Sequence, residues 1–166
     1  MINKLAIIIP GIFLILACIF DFKSRKIPNE VTYIMLVFGL LYLSILGGLG
    51  GFFQSIIGML TSCIILAFFS KTFSFGGGDK KLIMACGAWL GKDCLYFLFF
   101  TLLILILYNI FLVIKKEGIG NLLSTLKLEF LYSHKEPLEN VPGAFFIAAG
   151  YIVTMFLLGE PLCFTW

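Results

Sequence analysis

Two aspartates stand out in a chain that otherwise carries few charges. Asp79 closes the run Gly76-Gly77-Gly78-Asp79 and is followed by Lys80-Lys81; Asp21 opens Asp21-Phe22-Lys23-Ser24-Arg25-Lys26-Ile27-Pro28-Asn29. A carboxylate in or beside an apolar run is costly to hold and marks a functional position by default. Two carboxylates brought to about 3 Å cannot both ionise and share one proton. The ionised member can take a proton from water as that water attacks an amide carbonyl. The protonated member can hydrogen-bond the carbonyl oxygen and stabilise the developing charge. The two titrations belong to the pair, so acid and base are not assigned individually.

Each aspartate also has a plain structural reading. Asp21 would serve as a helix-end acid, solvated by headgroups or paired with Lys23 or Arg25. Asp79 would serve as the N-cap of the following helix, where the dipole favours an acid. The glycines weigh against a mere cap, because a cap needs no room around it. Glycine is required where φ is positive or where another backbone must come close. Gly76, Gly77 and Gly78 are therefore expected to shape a channel for an extended chain beside Asp79. A phosphate loop is excluded: the Gly-x-x-x-x-Gly-Lys-Ser/Thr pattern is absent, and Asp79 would repel phosphate.

The elements that must position these residues follow from composition. The chain has 166 residues, 61% hydrophobic and 13% charged, with a mean hydropathy of +1.09. Soluble domains carry about 25% charged residues, so the expectation is an all-α, polytopic membrane protein forming a single domain over residues 1–166. The net charge of +3 is small, and no nucleic-acid partner is expected. Five cysteines (Cys18, Cys63, Cys86, Cys94, Cys163) lie scattered in or beside apolar runs without a Cys-x-x-Cys pair, and His134 stands alone. A structural zinc site needs about four clustered ligands, so neither metal nor cofactor is expected. Serine–histidine chemistry would rest on His134 with no flanking signature.

Six spans are predicted, at 5–20, 31–46, 52–70, a short fourth near 82–90, 95–114 and 141–158. Residues 47–51 form an uncharged turn. Pro28 stops the first segment and Asn29 is placed to cap the second. Residues 82–90 are too few for a hydrocarbon core about 30 Å thick at about 1.5 Å per residue. Either the fourth helix reaches back to include Asp79, or the bilayer is thin there. Ile119, Leu122, Leu123, Leu126 and Phe130 recur at roughly helical spacing, which reads as an amphipathic helix lying in the interface or packed on the bundle. The start of the chain, with Lys4, an apolar run and Ile15-Leu16-Ala17-Cys18, mimics a lipoprotein signal; cleavage there would leave Lys23, Arg25 and Lys26 on the wrong side.

Charge sets the orientation. Lys23, Arg25, Lys26, Lys71, Lys80, Lys81, Lys115, Lys116, Lys127 and Lys135 are ten of the 12 Lys and Arg, and all fall in the first, third and fifth connections. Positive loops face the cytoplasm. Both termini are thus expected outside, with Asp21 and Asp79 on one cytoplasmic face of a plasma (inner) membrane.

Asp21-x-Lys23-x-x-x-Ile27-Pro28-Asn29 taken with Gly76-Gly77-Gly78-Asp79-x-Lys81-Leu82 resembles the prepilin peptidases, intramembrane aspartic proteases with a Gly-x-Gly-Asp motif, and in size the small tight-adherence pilus type. Residues 141–150 resemble the family's closing Pro-containing helix start. The resemblance implies Asp21 and Asp79 as the catalytic pair, no metal, and a prepilin or pilin-like precursor as substrate, its short basic leader cut at the cytoplasmic face. Larger members also N-methylate the new terminus and carry Cys-x-x-Cys pairs in an N-terminal extension; this sequence has neither, so the implication is cleavage rather than methylation. Gly76, Gly77, Gly78, Lys23, Arg25 and Lys81 would shape the site or bind substrate, with Lys23 and Arg25 read first as anchors to anionic headgroups. The competing readings are an ion or proton transporter, since acids beside helix breaks line such pathways, and a non-catalytic pilus-assembly scaffold.

Overall fold

The computed structural model describes residues 2–69, 76–117 and 143–158. Among these there are helices and no strands: α1 (Ile2–Ser24), α2 (Asn29–Phe69), α3 (Gly77–Leu90), a 3-10 turn (Gly91–Asp93), α4 (Cys94–Glu117) and α5 (Gly143–Leu158). The amphipathic segment at 119–130, His134, Cys163, Lys71, and Val141-Pro142 lie outside the described residues.

Among the described residues, three stretches are long and apolar enough to cross a bilayer: Ile7–Ser24, Asn29–Phe69 and Gly77–Leu112. Their outward faces carry large apolar side chains, including Ile45 at 81% and Phe68 at 79% exposure. Water would not tolerate so continuous an apolar surface, whereas lipid requires one.

The second of these stretches is folded in two. Gly48 adopts φ 57, ψ −139 inside α2, a backbone that glycine reaches at little cost. Leu43 and Gly51 would stand about 12 Å apart in a straight helix, yet the Leu43 carbonyl occupies the place a Cβ on Gly51 would take. The expected turn at 47–51 is thus absorbed at one residue, with helix resuming on both sides. A second reversal falls at Gly91, also at positive φ (55). It sends α4 back along α5: the Tyr108 ring lies tilted against Phe146 and Phe97 meets Tyr151 edge to face, while Gly150 abuts Thr101.

The shortness of the predicted fourth segment has a physical answer. Helix α3 starts at Gly77 and so includes Asp79, the first of the two options the sequence left open. It is the central helix rather than a lipid-facing one. Leu82, Ile83, Ala85, Cys86, Ala88, Trp89 and Leu90 are all buried. Both halves of α2 enclose it. Trp89 Nε1 donates to the Met35 carbonyl at 2.8 Å, and its ring lies against Gly39, where a Cβ would come within 2.8 Å of Cδ1. On the other side Ser55 Oγ donates to the Ala88 carbonyl at 2.6 Å, and Gly58 meets Gly87 and Gly91 backbone to backbone. Small residues at such a crossing let the helices approach until dispersion and polar contacts hold them. Packed this closely, α2 and α3 set each other's height, and α3 presents its first turn at one end of the bundle.

Candidate active site

Asp21 lies in the last turn of α1, where the helix dipole disfavours a carboxylate. Its partner comes from elsewhere: Ala144, in the first turn of α5, donates its backbone N–H to Asp21 Oδ2 at 3.0 Å. The first amides of a helix have no partner within it and favour anions. Asp21 is 8% exposed, so this bond is made largely out of water. Just beyond, Arg25 takes φ 51. Its N–H closes on the Asp21 carbonyl at 2.9 Å, an αL ending that turns the chain toward α2.

Asp79 reaches the same place from α3. It is not the N-cap that the structural reading assigned to it. Gly76 holds that position, with φ −61 and ψ 155, and its N–H donates to Asp79 Oδ2 at 3.2 Å, the bond that an acid at the third helical position accepts in a capping box. The acid therefore caps its helix and faces the cleft at once. Gly143, one residue before Ala144, packs on its carboxyl: a Cβ there would lie 2.6 Å from Oδ2 and 2.8 Å from Oδ1. Two consecutive residues at the start of α5 thus touch the two acids, one each.

Both acids line one cleft of about 350 Å³, together with Arg25, Lys26, Ile27, Asn29, Gly76, Gly77, Gly78 and Lys81. None of the three glycines has a positive φ; close approach is what uses Gly76 and Gly78. A Cβ on Gly78 would press on Ile27 at 3.1 Å, one on Gly76 would meet Asp79 Oδ2 at 3.1 Å, and one on Gly77 would meet nothing. Gly77 also lines the cleft and has open space about it. Lys23 is exposed and is not among the residues lining it.

Asn29, expected to cap α2 with its side chain, instead offers Oδ1 to Lys81 Nζ at 2.7 Å. The contributions of Gly143 and Ala144 escaped the sequence reading. Their signal was present: a Pro-Gly step before an apolar run marks a helix start, and a helix start offers free amides. Lys26 and Ile27, expected only as an orienting charge and as part of the first motif, also line the cleft. Among the described residues, no group of three or more His, Cys, Asp or Glu is placed to hold a metal ion.

Comparison with known proteins gives a family. The type IV leader peptidase family model matches residues 8–121. A preflagellin peptidase of Methanocaldococcus jannaschii is 41% identical over 89 residues, covering 51% of this chain and 38% of the relative. A prepilin leader peptidase/N-methyltransferase of Vibrio cholerae is 33% identical over 101 residues, 54% of this chain and 38% of the relative. A preflagellin peptidase of Methanococcus voltae is 36% identical over 78 residues, 45% and 34% respectively. The chain thus matches well under half the length of each of these relatives. No solved structure matches it.

Proposed function

The chain belongs to the type IV leader peptidase family, and on that premise we propose that it is an aspartic endopeptidase that removes the leader of prepilin or pilin-like precursors. Asp21 and Asp79 are the pair that activates water. The observation that carries this reading is their convergence in one cleft, each held against a neighbouring residue of the α5 start.

The chemistry follows from the arrangement. One carboxyl is ionised and one protonated. The ionised member accepts a proton from a water held between them, and the water oxygen bonds to the amide carbon. The protonated member donates to the carbonyl oxygen as charge develops there. When the tetrahedral species collapses, the C–N bond breaks and the leaving nitrogen takes a proton from the pair. The fixed donors, Ala144 N–H to Asp21 and Gly76 N–H to Asp79, hold each carboxyl by Oδ2. Such preorganisation lowers the cost of reaching the reacting geometry. The space beside Gly77 admits the extended stretch of substrate.

The distribution of Lys and Arg supports a cytoplasmic placement of this cleft, with both termini across the membrane from it. It also supports a six-pass path in which α2 crosses twice. Purified protein in detergent, incubated with a prepilin, should yield a product shortened by its leader, read by mass. Asp21→Asn and Asp79→Asn should each abolish the product while the protein still accumulates in membranes. Full cleavage by either variant sinks the dyad. Ion flux in liposomes without any peptide product would instead favour a transporter.

A further inference from the structure

Lys81 follows Asp79 by two residues and shares its cleft, but its ammonium is engaged by α2. Nζ donates to Asn29 Oδ1 at 2.7 Å, across 52 residues of chain, and stands 5.3 Å from the centroid of the Tyr33 ring. Asn29 and Tyr33 are one turn apart on α2, so one cation holds two points of the same helix start. Beside it, Ile27 packs on Gly78 so closely that a Cβ would have to push it away. One polar and one apolar contact thus fasten the start of α2, and the short connection from α1, to the first turn of α3. That connection begins at the helix end carrying Asp21; the first turn of α3 carries Asp79.

We propose that Lys81 is a positioning residue, which sets the separation of Asp21 and Asp79 by clamping the start of α2 through Asn29 and Tyr33. The kinetic consequence rests on the peptidase reading above; the geometric one does not. A lysine that bound substrate directly would need its ammonium free to leave Asn29. A clamp needs it to stay.

Kinetics on a prepilin separate the two. Lys81→Met and Asn29→Ala should each lower kcat by about tenfold or more with KM little changed, since small misplacements of reacting groups cost rate rather than affinity. The double variant should be no slower than the slower single one, because both changes break one contact. Lys81→Arg, which can still donate to Asn29, should recover most of the rate. A raised KM with kcat intact, or losses that multiply in the double variant, overturns the clamp. A second measurement needs no catalysis. With the native cysteines replaced, spin labels at positions 26 and 77 should report a narrow distance distribution that broadens on Lys81→Met. An unchanged distribution overturns the proposal. Should the wild-type protein cleave no prepilin, the peptidase reading falls, and this distance alone decides the clamp.

Discussion

The amide of Ala144 and the carboxylate of Asp21, 123 residues apart in the chain, form a 3.0 Å hydrogen bond. It joins the C-terminal end of one helix to the N-terminal end of another. A carboxylate that its own helix disfavours is thereby stabilised by the unpaired amides of α5.

That bond separates two substitutions at one site. Asp21→Asn keeps an acceptor oxygen for Ala144 and should unfold near the wild-type temperature, while cleavage falls by about 100-fold or more. Asp21→Ala leaves the Ala144 amide buried without its partner and should lose about 1–3 kcal/mol of stability besides. Thermal unfolding in detergent, run beside the cleavage assay, tells them apart; equal stabilities would mean the bond contributes nothing.

Gly143 gives a sharper test of the site than of the fold. An added methyl would fall 2.6 Å from Asp79 Oδ2, so Gly143→Ala must displace the carboxyl. The first turn of a helix accepts alanine. Expected is a loss of cleavage of about tenfold or more with the unfolding temperature little changed, since a shift of about 1 Å at a reacting group can cost about 100-fold. Wild-type rates in this variant would contradict the placement of Asp79.

Glycines elsewhere should behave in opposite ways. Gly58→Ala drives a methyl into the backbone of Gly87 and Gly91 and should cost about 1–3 kcal/mol or more through overpacking. Gly77→Ala meets no atom within 4 Å and should fold normally. If the space at Gly77 admits substrate, its KM should rise. A Gly77→Ala protein with unaltered KM would remove that glycine from the substrate path.

Arg25 pairs a strained backbone with a place in the cleft. A non-glycine residue in the left-handed region costs about 1–2 kcal/mol, and Arg25 sits there at φ 51. Arg25→Gly should therefore be no less stable than wild type, part of the relief being offset by the freer unfolded chain. If the side chain acts on substrate, cleavage should fall all the same. A variant that is both destabilised and active would reverse both expectations.

Composition and spacing determined the class of this protein: a charge fraction this low cannot clothe a water-soluble surface. They also determined that Asp21 and Asp79 were the residues to watch, because carboxylates bordering apolar helices are too costly to be incidental. The reversals at Gly48 and Gly91 fall in the gaps expected between spans, at 47–51 and between 82–90 and 95–114. What only the tertiary structure decided is who touches whom. Asp79 became the third residue of its helix rather than the cap because Gly76 offered its amide first. Asn29 turned to Lys81, and Lys23 fell outside the cleft. Gly143 and Ala144 entered the site through backbone groups, which carry no side-chain signature in a sequence. Two physical reasons lie behind these outcomes. A helix start offers several unpaired donors to whatever packing brings near, and packing between helices far apart in the chain is a property of surfaces that a one-dimensional pattern does not contain.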